Sequence, residues 1–161
     1  MILYRLCRLS TSDGELELAG PPAALRALAL LLRETQGRVE AQVSGGVVVQ
    51  ERTEGPLTVS HRGEDTLHLA GGHQYLDIVW DALVGVAEQA EGAEDRGVSR
   101  HQHIEYLPPD DEYRSPVSVP LIILSDWPDV ALRTSNALAL SHRASMRYGK
   151  RTHSKQRSAP G

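Results

Sequence analysis

The chain of 161 residues contains no phenylalanine, and two Trp and five Tyr supply all of its aromatic bulk. Its core must therefore rest on Leu, Val, Ile and Ala, with few large anchors. A single cysteine, Cys7, excludes an internal disulfide and fits a reducing compartment. Long apolar runs are missing as well. None approaches the roughly 18 residues of a membrane-spanning helix, and Arg5 and Arg8 interrupt the N-terminal stretch where a secretory leader needs an unbroken apolar segment. The expectation is a cytoplasmic protein. Signatures of catalysis are also lacking: there is no Gly-x-Ser-x-Gly elbow, no P-loop, no His-Glu-x-x-His, and nothing around Cys7 that marks a nucleophile. No enzyme activity and no cofactor are expected from these absences.

What is present is an uneven charge distribution. The formal net charge of -4 conceals 10 Arg against 20 Asp or Glu in residues 1–127, and 7 Lys or Arg against one Asp in residues 128–161. Both lysines, Lys150 and Lys155, belong to the second group. The division predicts one acidic domain over residues 1–127, which is long enough to bury a core, and a basic, largely disordered tail over residues 128–161. Arg143, Arg147, Lys150, Arg151, Lys155 and Arg157 make that tail either a solubilising extension or a weak nucleic-acid arm.

Residue patterning predicts the elements. Met1 to Leu9 and Glu15 to Ala19 read as strands joined by a turn at Ser12-Asp13-Gly14, with Leu16 and Leu18 alternating against Glu15 and Glu17. Gly20-Pro21-Pro22 opens a helix in which Leu25, Leu28, Ala29 and Leu32 recur at helical spacing until Gly37. Short strands follow at Val39 to Val43, Val47 to Arg52, Leu57 to His61 and Thr66 to Ala70, read as an antiparallel meander separated by glycine-bearing turns. Gly71-Gly72 reads as the turn into a second helix, whose apolar face carries Leu76, Val79, Trp80, Leu83, Val86, Ala87 and Ala90. The strand at His101 and a more apolar one over Pro116 to Ser125 complete the order β-β-α-β-β-β-β-α-β-β. Without regular β-α alternation, this predicts an α+β fold, a mainly antiparallel sheet with two helices packed on one face and the other face open.

Two groups of residues are candidates for function. Alternation along a strand places His101, His103 and Glu105 on one side of the chain, a row that serves either as metal ligands or as a polar recognition surface. Residues two apart on a strand stand roughly 6 to 7 Å from one another, so a metal needs ligands from elsewhere. His61, His68 and His73 are the available histidines, none at a known metal spacing. The second group is acidic: Asp77, Asp81 and Glu88 form a stripe on the second helix, and Asp110-Asp111-Glu112 follow the His101 strand. Carboxylates in this number repel nucleic acid and steer a basic protein toward the surface.

The segment from Gly14 to Ala29, the Gly71-Gly72-His73 helix entry, the His-x-His-x-Glu-Tyr-x-Pro stretch from His101 to Pro108, and Ser118-Val119-Pro120-Leu121 together resemble a family of small actinobacterial immunity proteins of polymorphic toxin systems. The resemblance spans about residues 14 to 125. It implies a non-enzymatic inhibitor that neutralises a cognate toxin by direct binding. Toxins of this class are often nucleases with basic grooves, which the acidic body would match; Asp77, Asp81, Glu88, His101, His103, Glu105, Asp110, Asp111 and Glu112 are therefore the candidate partner-binding residues, with no metal and no membrane expected. The competing reading is a metal-dependent enzyme or metal sensor using His101, His103 and Glu105.

Overall fold

The computed structural model describes residues 2–94 and 98–126. Residues 127–161, on which the reading of a basic tail falls, lie outside the described residues. A 3-10 turn at Leu3–Leu6 precedes β1 (Arg8–Ser12) and β2 (Glu15–Gly20), which form a hairpin closed by Asp13 and Gly14. Both turn residues have positive φ, +52° and +80°, the combination that matches the twist of the flanking strands and that Asp-Gly adopts readily. The expected first strand over Met1 to Leu9 therefore starts only at Arg8. Helix α1 (Pro22–Glu34) has proline in its first turn, where no N–H is needed, and buries Leu25, Leu28, Ala29 and Leu32. Its end is marked by the Thr35 hydroxyl, which donates to the Leu31 carbonyl at 2.7 Å.

Strands β3 (Arg38–Val43), β4 (Gly46–Arg52), β5 (Thr58–Arg62) and β6 (Thr66–Gly71) lead into α2 (His73–Glu91), and β7 (Arg100–Ile104) and β8 (Leu121–Ser125) end the order. Among the described residues, two helices and eight strands in this sequence make the fold α+β with the expected element order. The arrangement of strands differs from the expectation. They divide into two mixed four-stranded sheets, β1-β2-β8-β7 and β3-β4-β6-β5, each with a parallel pair at its centre. The meander from β3 to β6 is broken because β5 crosses to the edge and β6 pairs with β4 in parallel. Hydrophobic alternation sets which side of a strand is buried but not which neighbour it pairs with.

The two sheets are built from two units of matching element order. Residues 8–52 and 58–125 each form a β-β-α-β-β unit, and each sheet joins the first hairpin of one unit to the second strand pair of the other. The repeat is visible in the strand-to-helix junctions, where Leu16, Leu18, Ala19, Gly20 and Leu25 recur as Leu67, Leu69, Ala70, Gly71 and Leu76. Both glycines lie against the residue preceding their unit's first strand. A Cβ on Gly20 would meet Cys7 Sγ at 3.2 Å, and one on Gly71 would meet Leu57 Cα at 3.2 Å.

The seams between the sheets repeat as well. The Ser44 N–H donates to the Cys7 carbonyl at 2.9 Å and, in the other unit, the Ser115 N–H donates to the Leu57 carbonyl at 2.8 Å. A single hydrophobic cluster collects α1, α2 and the inward residues of both sheets, with Trp80 as its largest fully buried side chain. The scarcity of aromatics is met by one Trp and many aliphatics. Trp80 Nε1 donates to Gln50 Oε1 at 2.7 Å, and Gln50 Nε2 donates to the Leu32 carbonyl at 2.7 Å, so a fully buried polar side chain ties β4 to both helices.

Candidate partner-binding surface

The outward face of β1-β2-β8-β7 is fixed by register. Leu9, Leu16, Leu18, Ile104, Leu121 and Ile123 point into the core, so their neighbours point out. One row across the sheet reads Ser10, Glu17, Ile122, His103, and the next reads Arg8, Ala19, Leu124, His101. The expected row of His101 and His103 thus stands on the open face, at the edge strand, beside the half-buried Ile122 and Leu124. The two imidazoles touch edge to face, with ring centroids 5.2 Å apart. Glu105 falls just past the end of β7 and begins a loop. Among the described residues no group of three or more His, Cys, Asp or Glu side chains is arranged to hold a metal ion, so the metal reading has no donor set there. His61 lies on β5 and His68 on β6, both in the other sheet, and His73 is in the first turn of α2.

The loop from Glu105 to Pro120 carries the second acidic group and is held by it. Asp111, whose side chain is 3 % exposed, accepts backbone N–H bonds from Leu107 at 3.1 Å, Tyr113 at 2.9 Å and Arg114 at 3.2 Å. Its carboxylate also pairs with Arg114 Nε at 3.0 Å, and the same guanidinium nitrogen donates to the Glu105 carbonyl at 2.7 Å. Burial alone raises the Asp111 carboxyl, but the three N–H donors and the Arg114 charge outweigh it and hold the carboxyl below the usual range. Asp111 organises the loop, whereas Asp110, Glu112 and Glu105 are exposed and form no ion pair among the described residues. The loop is further pinned to β5, where the Leu57 N–H donates to the Tyr113 carbonyl at 2.9 Å and Val59 N–H donates to Ser118 Oγ at 3.0 Å.

The other acidic group, the helix stripe, stands apart from these. Asp77, Asp81 and Glu88 lie on α2, and no hydrogen bond or ion pair among the described residues links them to the loop. Glu91, at the end of the same helix, makes a two-pronged bond to Arg26 on α1 at 2.9 Å per contact. The lone thiol offers no chemistry here. Cys7 is fully buried, and burial pushes it up to about 12, with Asp126 adding to and Arg8 opposing that shift, so thiolate is negligible at neutral pH.

Residue chemistry did not single out the most exposed groups on the loop. Leu107 is 55 % exposed, Tyr113 59 % and Val117 77 %, which is unusual for three large apolar side chains in sixteen residues. Nor did it single out Arg114, which carries no motif. The usable signal was length, since the β7–β8 connection has sixteen residues where the corresponding β3–β4 connection has only Ser44 and Gly45. Long loops with fixed ends are where binding groups concentrate.

Residues 66–126 match the model of the family described as Immunity protein 32. This bears out the resemblance to an immunity-protein family over β6, α2, β7, the sixteen-residue loop and β8. No curated protein and no solved structure is significantly similar to the chain. No described helix is long and apolar enough to cross a membrane.

Proposed function

We propose that this chain neutralises a cognate toxin protein by direct, non-catalytic binding. The observation that carries the reading is the match of residues 66–126 to an immunity-protein family, because that segment contains the whole of the outward-facing His101 strand and the acidic loop. The charge of the domain supports it. An excess of Asp and Glu over Arg before residue 128 favours a basic partner, a nuclease with a positive groove being the class that fits, and disfavours nucleic acid itself. Cytoplasmic action, which the sequence suggested, is consistent with a free, buried Cys7.

The test is to mix the purified chain with the toxin domain encoded beside its gene. A one-to-one complex that abolishes toxin activity without altering either chain covalently is the expected result. Raising the salt from low to physiological ionic strength should slow association by tenfold or more, because exposed carboxylates steer through a screened field. A complex that forms only as the toxin is cleaved or modified would replace inhibition by binding with catalysis.

A further inference from the structure

The two repeats differ most at one place. Between β3 and β4 the chain turns in two residues, and between β7 and β8 it uses sixteen, presenting Leu107, Tyr113 and Val117 to solvent. Exposed apolar groups on an unordered loop cost entropy to immobilise at an interface. Here that ordering has been achieved in folding. One carboxylate, Asp111, binds the backbone N–H groups of both Leu107 and Tyr113, which places those two nitrogens within about 8 Å of each other. Ser118 and Leu57 fix the far side of the loop on β5, and the Tyr113 ring leans against Tyr75 at the start of α2, with centroids 6.4 Å apart.

We propose that the loop from Glu105 to Pro120 is a preformed docking loop that seats Tyr113, with Leu107 and Val117 beside it, in an apolar recess rimmed by Lys or Arg on a basic partner protein. The proposal rests on the toxin-binding reading and narrows it to one element and one anchor. The charges choose the occupant. Glu105, Asp110 and Glu112 are exposed on the same loop as the apolar groups and are without ion-pair partners among the described residues, so they complement a basic rim. A polyphosphate chain or an anionic lipid surface meets the same carboxylates with repulsion. So does a second copy of this chain, because a two-fold contact sets the loop against itself and brings like charges together. A rigid aromatic with few rotatable bonds is also the residue type that most often anchors a protein interface.

The experiment uses the full chain and the toxin domain encoded beside its gene. Tyr113→Ser and Val117→Ser are the test variants, and Leu30→Ser, which removes a half-exposed aliphatic from α1, is the control. All four proteins should remain folded with cooperative thermal transitions, the Tyr113→Ser midpoint falling slightly through loss of the Tyr75 contact and the Val117→Ser midpoint staying unchanged. Tyr113→Ser is expected to raise Kd at least tenfold through faster dissociation, Val117→Ser to raise it severalfold, and Leu30→Ser to leave it unchanged. The pair Asp110→Asn and Glu112→Gln should lower the association rate and flatten its salt dependence. Failure of the unaltered chain to bind would overturn the toxin reading itself. Normal binding by the Tyr113 and Val117 variants would overturn only the docking loop. Self-association of the unaltered chain in sedimentation, lost in Tyr113→Ser, would assign the loop to a second copy and equally overturn the proposal.

Discussion

The two sheets have the same strand pattern and opposite surface chemistry. On the outward face of β3-β4-β6-β5, Arg38 bonds Glu40 at 2.8 Å and Glu51 at 3.0 Å, while Glu51 lies 3.4 Å from His68 Nε2. The Arg38, Glu40 and Glu51 charges are thus answered within the sheet, while Arg62 on β5 has no ion pair among the described residues. The equivalent positions of β1-β2-β8-β7 carry His101, His103, Ile122, Leu124 and Glu17, and beyond the Arg8–Asp126 pair at one corner its charges have no partner among the described residues. A scaffold of two matching units has one surface carrying internal ion pairs and one left with aliphatic and unpaired acidic groups. The lesson is that topology alone does not make a binding surface, and that what distinguishes the second unit is what its strands and its long loop leave unsatisfied.

The interior shows the same divergence, and the largest expected effect lies there. Gln50 on β4 and Ile123 on β8 occupy equivalent places opposite the parallel partner strand, and Trp80 on α2 corresponds to Ala29 on α1. Importing the residue of one unit into the other by Gln50→Ile should strand Trp80 Nε1 and the Leu32 carbonyl without partners. A loss of about 2 to 4 kcal/mol in denaturant unfolding is expected, and a neutral result would mean the two interiors are interchangeable. Asp111 is next. Asp111→Ala removes the acceptor of three backbone N–H groups and should cost about 2 kcal/mol while accelerating amide exchange at Leu107 and Tyr113. Because its folded-state carboxyl is held below the unfolded value, its stabilisation is full above that value. It should disappear as the pH falls below about 4, and the Asp111→Ala variant should lack that part of the acid transition.

A smaller effect separates the closed sheet from the open one. Burial and the Arg62 charge push His68 below its ordinary value against the opposing pull of Glu51. The unfolded chain takes up the proton more readily, so stability should decline as the pH drops below about 6.5, and His68→Gln should flatten that slope. Persistence of the slope in the variant would place its source on another group. The smallest effect is expected at the surface bond between the repeats' helices. Arg26→Ala should change stability by less than about 1 kcal/mol, since both partners of the Glu91 pair are exposed.

Much of this architecture was legible in the residues. Periodicity placed α1 and α2, because their buried faces repeat at Leu25, Leu28, Leu32 and at Leu76, Trp80, Leu83, Ala87. Alternation placed β2, and the Asp13-Gly14 and Gly71-Gly72 signals placed a hairpin turn and a helix start. The strand expected over Pro116 to Ser125 begins only at Leu121, because Pro120 has no N–H to donate to a ladder. The orientation of His101 and His103 also followed from alternation once Ile104 was inward. Strand partners were a different matter. Nothing local to β4 distinguishes β5 from β6 as a neighbour, and the crossover that separates them is set by how two repeats close on one core.

The sequence by itself determined the elements, the acidic balance of residues 1–127, a core built without phenylalanine, and the resemblance that the family match at residues 66–126 bears out. Those properties depend on neighbours along the chain or on composition, and so can be read without coordinates. Only the tertiary structure decided that the strands form two mixed sheets, that Asp111 is a buried organiser while Asp110 and Glu112 face solvent, and that Tyr113 stands exposed on a pinned loop. The sheet pairing and the pinning of the loop turn on contacts between residues far apart in sequence, whereas the role of Asp111 turns on a loop conformation that brings the nearby Leu107, Tyr113 and Arg114 around one carboxylate. Identical carboxylates one position apart acquire opposite roles only when the fold aims one at its own backbone and the next at water.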